Sequence, residues 1–344
     1  MELTTFWFIV IGVLWTGYLA LEGFDFGVGM LLPILGRGTD PDDSNRRRRV
    51  LINTIGPVWD GNEVWVLTAG GAMFAAFPHW YATLFSGFYL PLLLILLALI
   101  VRNLGFDYRG KRDSDAWRRG WDRAIVIGSA LPALLWGVAL TNVVRGVPID
   151  AHREYVGNLF TLLNPVALLG GITTLLLFLT HGALFVALKT DGPIRKDARR
   201  LAGTIGVVAA GFAVLFLLLI GLDKGTLLSW VTTFVAAGAL IGALLANYRH
   251  REGWAFAGTF VTIAGAVATL FLVLFPDVMP SSLDPAWSLT AANASSTAYT
   301  LRIMTVVALI FTPVVVAYQA WTYWVFRKRI AVHHIPAALE HASV

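Results

Sequence analysis

Four carboxyl side chains lie inside stretches that are otherwise apolar, and they form two pairs, Glu22 with Asp25 and Asp60 with Glu63. The members of each pair are three residues apart, so in a helix each pair occupies one face. Ionisable side chains at membrane depth are costly, and by default they mark a site or a transport path. Acids that are buried close together cannot all remain ionised, so some of them must hold protons. The two pairs therefore predict a proton relay.

The depth of these acids along their helices predicts that the two pairs meet. At a rise of about 1.5 Å per residue, Asp25 lies roughly 10 Å from the end of the first apolar run at Leu32. Asp60 lies nine residues from Leu51, where the second apolar run begins, and is therefore roughly 13 Å from the same end. Sequential antiparallel helices are usually neighbours, so all four carboxyl groups are expected to converge. Two other interpretations stay open: an oxygen-ligand site for a metal ion or sodium, and hydrogen bonding to a neighbouring helix or subunit.

The elements that must position these acids are transmembrane helices. The chain has 344 residues, of which 57% are hydrophobic and 14% charged, against about 45–50% and 25% in soluble chains. This composition, with a mean hydropathy of +0.70, excludes an ordinary soluble enzyme, and continuous apolar runs disfavour an outer-membrane barrel. Nine runs are long enough to cross a bilayer as helices: Phe6–Leu32, Leu51–Phe77, Tyr81–Val101, Ala124–Val144, Leu162–Leu188, Leu201–Leu222, Leu227–Tyr248, Trp254–Phe275 and Leu301–Phe326.

These runs predict an all-α integral membrane protein with about nine transmembrane helices, arranged as two four-helix bundles plus one peripheral helix. Residues 1–329 are expected to form a single polytopic membrane domain, and residues 330–344 a cytoplasmic C-terminal tail. Two pairs of glycines have the Gly-x-x-x-Gly spacing that permits close helix approach: Gly23 with Gly27, and Gly238 with Gly242.

The distribution of basic residues predicts the orientation. Lys and Arg number 26, and an N-terminus outside the membrane leaves 22 of them, including Arg102, in inward segments. Four fall in outward segments: Arg145, Arg153, Lys224 and Arg302. Because inward loops carry the excess of Lys and Arg, the N-terminus is expected outside and the C-terminus inside. The net charge of +5 is thus a signal of topology, and no nucleic-acid partner is expected.

Side chains that could bind a redox cofactor are few. The chain has no Cys, which excludes thiolate ligands, and His181 is the one histidine inside an apolar run. A haem with two axial ligands needs a facing pair such as His and Met, and no such pair is at matching depth. His181 is therefore expected to hydrogen bond between helices. Trp59, Trp65 and Trp136 are deep enough to line a site for a quinone or lipid, or to pack in the core.

Several longer segments carry a resemblance to a known family. The segment Glu22–Met30, EGFDFGVGM, resembles the first-helix signature of subunit II of the cytochrome bd quinol oxidases. The matching segments keep their order along nearly the whole chain, from residue 1 to about residue 329, and together they are highly specific. The other segments are WDGNEVW at Trp59–Trp65, TAGGA at Thr68–Ala72, FSGFY at Phe85–Tyr89, RNLGFDYR at Arg102–Arg109, LNP at Leu163–Pro165 and FPDVMPSS at Phe275–Ser282.

The resemblance implies a nine-helix subunit that pairs with a related, haem-bearing subunit I, together with small accessory single-helix subunits in some complexes. Haems b558, b595 and d and the quinol-oxidising loop are then expected in subunit I. No haem ligand, metal ligand or catalytic residue is expected in this chain. The complex would lie in the bacterial cytoplasmic membrane, oxidise quinol, reduce dioxygen to water and take protons from the cytoplasm.

The resemblance also implies roles for the acids named above. Asp60, in the Trp59–Trp65 segment, is the best match to a residue of the family's proton-uptake route. Asp25 and Glu22 match the first-helix acids, and Glu63 stands where relatives often have Gln. The function expected is that of an oxidase subunit that supports subunit I and contributes to proton uptake. The alternative is a stand-alone proton-coupled transporter, against which stands the lack of a visible inverted repeat.

Overall fold

The computed structural model describes residues 2–335, and Met1 and residues 336–344, which include most of the predicted tail, lie outside the described residues. Within that range the chain folds into twelve α-helices, one pair of short antiparallel strands and two 3₁₀ turns. The helices are α1 Leu3–Leu35, α2 Pro41–Ile55, α3 Trp59–Ala76, α4 Pro78–Gly87, α5 Tyr89–Tyr108, α6 Asp115–Arg145, α7 Leu159–Leu162, α8 Pro165–Lys189, α9 Pro193–Lys224, α10 Leu227–Tyr248, α11 Glu252–Leu274 and α12 Ala298–Val325. The strands are β1 Asp277–Met279 and β2 Leu289–Thr290, and the 3₁₀ turns are Pro285–Trp287 and Val332–His334.

Eight of these helices are long and apolar enough to cross a membrane: α1, α5, α6, α8, α9, α10, α11 and α12. The remaining predicted span corresponds to α3, which has 18 residues and a length of about 27 Å. Asp60, Asn62 and Glu63 lie in its first two turns and lower its hydropathy below that of the other eight. The predicted all-α membrane fold is confirmed, and the count of nine is approximate because it depends on α3.

The long helices pack as two groups with one helix outside them. The first group is α1, α3, α5 and α6, and the second is α8, α9, α10 and α11. Helices α1 and α6 also pack against α8, so the two groups form one body. Helix α12 packs on α1 and α3, and only Leu301 among its residues is buried. This arrangement agrees with two four-helix bundles and a peripheral helix.

One of the two predicted glycine pairs permits a close helix crossing. A Cβ atom at Gly27 would lie 2.0 Å from the carbonyl oxygen of Phe178 and 2.8 Å from the Cα atom of Gly182. The backbones of α1 and α8 therefore approach directly at this point. The prediction for Gly238 and Gly242 is wrong, since a Cβ atom at either position meets nothing within 4 Å. These two glycines lie on an outer face of α10.

Two predicted spans are interrupted in the structure. The run Leu51–Phe77 is split into α2 and α3 by a turn at residues 56–58, where Pro57 has no backbone N–H to continue the helix. The run Tyr81–Val101 is split at Phe88 into α4 and α5. Helix α5 then continues to Tyr108, so Arg102, predicted to lie in a loop, is inside the helix and completely buried.

The connections between helices gather at two ends of the bundle. One end, called the basic end here, contains residues 36–58, 109–123, 189–200, 249–252 and 326–335. These segments contact one another, for example through the Arg48–Asp122 ion pair at 3.0 Å and the hydrogen bond from the Ile330 N–H to the Lys189 carbonyl. At the opposite end, the Val147 N–H donates to the Pro280 carbonyl. The connections therefore lie at two opposite ends of the bundle, and which end faces the cytoplasm stays a prediction. The division into a domain of residues 1–329 and a tail of residues 330–344 stays a prediction.

Candidate functional site

The acids of α1 lie in the centre of the molecule. Glu22 and Asp25 are both completely buried, because α1 packs against α3, α6, α8 and α11. Their spacing places both carboxyl groups on neighbouring parts of one helix face. A buried carboxylate needs a partner of opposite charge or a set of hydrogen bonds, and each of these two acids meets a different set of polar side chains.

Glu22 lies beside a buried arginine that also approaches α3. Arg102 Nη1 of α5 donates to Glu22 Oε1 and lies 3.9 Å from Glu63 Oε2. Asn103, the next residue of α5, donates from Nδ2 to both carboxylate oxygens of Glu63, at 2.8 and 3.1 Å. The guanidinium also lies over the ring of Phe26, 4.8 Å from its centroid, which favours a cation. Glu22 and Glu63 are thus at matching depth, as the sequence predicted.

Asp25 belongs to a hydrogen-bonded chain that crosses three helices. Asn62 Nδ2 of α3 donates to Asp25 Oδ2 at 2.7 Å. The Oδ1 atom of Asn62 accepts from Tyr323 Oη at 2.7 Å and from Gln319 Nε2 at 3.1 Å, both on α12. Trp65 Nε1 then donates to Gln319 Oε1 at 2.8 Å. This chain fixes the peripheral helix α12 to the site.

Asp60 does not join the other three acids, and its predicted position is wrong. The estimate of depth assumed a continuous helix from Leu51, whereas the chain turns at residues 56–58 and Asp60 lies in the first turn of α3. Its side chain is exposed and makes no hydrogen bond or ion pair with any residue that the structure describes. Asn62, two residues further on, takes the place facing Asp25. Asp60 therefore lies at the edge of the site, near the basic end.

The charges of the site do not balance when every group is ionised. Among residues 2–335, Arg102 is the single cation that the buried Glu22 and Asp25 and the half-buried Glu63 face. Glu22 Oε2 and Asp25 Oδ1 are buried and have no hydrogen-bond donor among the described residues. Uncompensated buried charge is expensive, and a buried oxygen without a donor is a place where a proton can be held. The arrangement can therefore accept and release protons.

The arginine also bears on the cation-site interpretation. The guanidinium of Arg102 occupies the position between Glu22 and Glu63 where an oxygen-coordinated cation would bind. Across residues 2–335 no group of three or more His, Asp or Glu side chains is arranged to hold a metal ion. The acids are thus arranged around an arginine.

Sequence reasoning missed five residues of this site: Arg102, Asn103, Asn62, Gln319 and Tyr323. Arg102 was assigned to a loop because it follows the last apolar residue of its run. Asn62 lies between Asp60 and Glu63, and the prediction considered only these ionisable side chains. Gln319 and Tyr323 are four residues apart in an apolar segment, and this helical spacing of polar groups is a signal that could have found them.

His181 is separate from the acidic site and is hydrogen bonded on both ring nitrogens. Its Nε2 atom lies 3.1 Å from the Ala20 carbonyl and its Nδ1 atom 2.7 Å from Thr259 Oγ1. Because a carbonyl only accepts, Nε2 carries a proton, and Nδ1 of the neutral ring accepts from the threonine. The ring also stacks on Phe256 at 4.4 Å. His181 is thus an interhelix residue of α1, α8 and α11, as expected.

The fold and this buried cluster define the class of protein, a polytopic helical membrane protein with ionisable side chains inside its bundle. A family model described as cytochrome bd terminal oxidase subunit II matches residues 3–326. Cytochrome bd ubiquinol oxidase subunit 2 of Bacillus subtilis (strain 168) is 43% identical over 332 residues, covering 94% of this chain and 96% of that protein. Cytochrome bd-I ubiquinol oxidase subunit 2 of Escherichia coli (strain K12) is 36% identical over 371 residues, covering 96% and 95%.

The fold is also similar to that of a solved structure. A chain of the bd oxidase from Geobacillus thermodenitrificans superposes with a TM-score of 0.76 at 16% identity, covering 95% of this chain and 99% of that one. The chain belongs to the cytochrome bd terminal oxidase subunit II family. The chain is accordingly a multi-pass bacterial membrane protein and a subunit of a respiratory oxidase. The alternative of a stand-alone transporter is set aside.

Proposed function

We propose that this chain supports quinol oxidation and dioxygen reduction by its complex through a proton-uptake path made of Asp60, Asp25, Glu22 and Glu63. The observation that carries the proposal is the cluster of three buried or half-buried acids around one arginine. Asp60 lies at the mouth of this path, exposed and close to the basic end. In the proposal, protons enter at the carboxyl group of Asp60, reach the buried acids, and pass from this cluster to the haem-bearing subunit.

A substitution at Asp60 tests the path. Asp60→Asn removes the proton-carrying group but keeps its shape, so turnover per haem should fall on the order of 100-fold while haem per complex is unchanged. Asp60→Glu, which retains a carboxyl group, should recover most of the activity. Asp107→Asn is the matched control, because Asp107 is an exposed acid of α5 near the same end and makes no contact with the cluster.

The readouts separate this path from a structural role for Asp60. Unchanged turnover per haem in Asp60→Asn would remove Asp60 from the path. Loss of haem in both Asp60→Asn and Asp60→Glu would instead show that the residue holds the complex together.

The partner in the proposal is a haem-bearing subunit I that covers the outer faces of α3 and α12. Thr68 of α3 is exposed on this face, and polar side chains at membrane depth rarely face lipid. Large apolar side chains, including Leu67 and Phe74, are exposed beside Thr68. A second protein packed on this face would supply hydrogen-bond partners for the polar side chains and bury the apolar ones. The opposite side of the bundle would then face lipid and any small single-helix accessory subunits.

The redox cofactors in this proposal, haems b558, b595 and d, lie in subunit I. His181 supports this assignment, because its two ring nitrogens are both engaged by protein groups and offer no ligand to iron. A bound quinone or lipid remains a candidate ligand of this chain. An apolar cavity of about 480 Å³ among α8–α11, lined by residues such as Leu177, Phe216 and Trp230, supports that part of the proposal.

The orientation in the proposal places the N-terminus outside and the C-terminus in the cytoplasm of the bacterial cell. The support is the gathering of arginines at one end of the bundle, since cytoplasmic loops carry the excess of basic residues. A C-terminal alkaline phosphatase fusion should be inactive, because that reporter works only outside. An active fusion would reverse the orientation and, with it, the side from which protons are taken.

A further inference from the structure

A groove at the basic end combines an apolar wall with unpaired arginines. It lies between the end of α1 and the beginning of α6, has a volume of about 300 Å³, and is lined in part by Arg48 of α2. Leu32, Pro33, Val126 and Ile127 supply the apolar wall, and Arg119, Arg123 and Asp122 supply the rest of the lining. The acidic cluster of the proposed proton path does not contribute to it.

Two of the three arginines of the groove are charged groups without a partner in the described part of the chain. Arg119 and Arg123 are exposed, and neither forms an ion pair or hydrogen bond within the described part of the chain. Asp122, the acid of the groove, is already shared by Arg48 at 3.0 Å and Arg109 at 2.5 Å. The lining therefore keeps an excess of positive charge that this single carboxylate does not neutralise.

The geometry of α6 links these charges to the hydrocarbon layer. Arg119, Arg123 and Ile127 are spaced by four residues, so they lie along one face of the helix. Ile127 is 63% exposed on a helix long and apolar enough to span the membrane. The distance from Arg119 to Ile127 is about 12 Å along the axis, which is enough to pass from the headgroup layer into the acyl chains.

We propose that this groove binds an anionic glycerophospholipid, with its phosphate against Arg119, Arg123 and Arg48 and an acyl chain along Val126 and Ile127. Basic pockets between transmembrane helices recognise acidic headgroups in this way. A soluble phosphate would use the arginines alone, and a zwitterionic lipid would gain from the apolar wall but not from the excess charge. The lipid would join α1, α2 and α6 at their ends.

The groove is better suited to such a lipid than the basic pocket on the other side of α2. That second pocket has a volume of about 340 Å³ and is lined by residues including Arg109 and Arg118. Arg118 is paired there with Asp113 and Asp115, and the pocket has little apolar wall. Its positive charge is therefore largely neutralised by protein carboxylates, and it lacks a surface for an acyl chain.

The test titrates dioleoyl phosphatidylglycerol into the delipidated, detergent-purified complex and counts bound lipid by native mass spectrometry. The variant is Arg119→Gln/Arg123→Gln, and the matched control is Lys196→Gln/Arg200→Gln. Lys196 and Arg200 have the same spacing, are exposed near the beginning of α9 at the same end, and lie outside the groove. Since each basic residue near an anionic surface contributes about a factor of five, the variant should bind about thirty-fold more weakly.

The remaining arms identify the ligand. The control should bind as the wild type does, dioleoyl phosphatidylcholine should bind far more weakly than phosphatidylglycerol, and millimolar glycerol 3-phosphate should not displace the lipid. Equal weakening of both double variants would overturn the site, because it would show a general effect of charge. Equal binding of phosphatidylcholine, displacement by glycerol 3-phosphate, or wild-type affinity in the variant would each overturn it as well.

Discussion

At the scale of single residues, the charge of Arg102 organises the candidate site. Its guanidinium is completely buried, contacts Glu22, lies 3.9 Å from Glu63, and packs against Phe26 and Phe106. An arginine in this position remains charged under all conditions in which the protein folds. The three acids can carry up to three negative charges, and Arg102 neutralises one of them. Bound protons must therefore neutralise the charge that remains.

Removing this charge should destabilise the protein. Arg102→Met leaves Glu22 buried without its cation, so the free energy of unfolding should fall by about 3–5 kcal/mol. The loss should appear as a lower midpoint of thermal unfolding and a lower yield of the complex. Arg251→Met is the control, because Arg251 is an exposed arginine between α10 and α11, away from α3 and α12.

A second substitution checks the cause of that loss. If the uncompensated carboxylate is responsible, Glu22→Gln/Arg102→Met should recover much of the stability lost in Arg102→Met, since it removes both charges. A double variant as unstable as Arg102→Met, or an Arg102→Met protein as stable as the wild type, would contradict this role for the arginine.

At the scale of helices, hydropathy predicted the membrane spans but not where they break. The run Leu51–Phe77 reads as one helix because its turn at residues 56–58 consists of Gly, Pro and Val, which are not polar enough to interrupt an apolar run. In the structure that turn ends α2 and begins α3. The position of Asp60 was wrong for this reason, whereas Glu22 and Asp25, on the uninterrupted α1, were placed correctly.

The residues of the site that come from α5 and α12 show what sequence reasoning could not supply. The position of Arg102 depends on two further turns of α5, and those turns are stable inside the bundle because Glu22 meets the guanidinium there. That pairing depends on tertiary contacts between residues 80 positions apart. The link from Asn62 to Gln319 and Tyr323 spans more than 250 positions, so no local pattern contains it.

The crossing of α1 and α8 can be tested through its glycines. Gly27→Ala places a Cβ atom 2.0 Å from a backbone carbonyl oxygen, so the helices must separate, and overpacking of this kind costs about 1–3 kcal/mol. The midpoint of thermal unfolding should fall accordingly. Gly238→Ala is the matched control, because its Cβ atom meets nothing within 4 Å and alanine is the better helix former by about 1 kcal/mol.

Comparing the two glycine variants separates the effect of the close contact between α1 and α8 from the general effect of replacing a helical glycine by alanine. If Gly27→Ala and Gly238→Ala had equal midpoints, the close approach of α1 and α8 would not contribute to stability. A lower midpoint of thermal unfolding in Gly238→Ala alone would indicate that the critical helix crossing is on α10. The Gly-x-x-x-Gly spacing had predicted a close approach there as well.

At the scale of the whole molecule, the acids and the basic end form one connected arrangement. Helix α1 carries Glu22 and Asp25 through the middle of the bundle, α3 and α5 add Glu63 and Arg102 from two sides, and α12 holds Asn62 from outside. In the proposal, protons enter at Asp60 near the basic end and leave toward the subunit that covers α3 and α12. In this proposal, the chain contributes to the reaction of the complex by moving protons.

The most direct test of this account is the rate of proton uptake from bulk solution when the fully reduced complex reacts with dioxygen. In Asp25→Asn the buried side chain keeps its shape and its contact with Asn62, but it can no longer carry a proton. The account predicts uptake on the order of 100-fold slower than in the wild type and in Asp107→Asn, with haem per complex unchanged. Uptake at the wild-type rate in Asp25→Asn, with its haem intact, would contradict it.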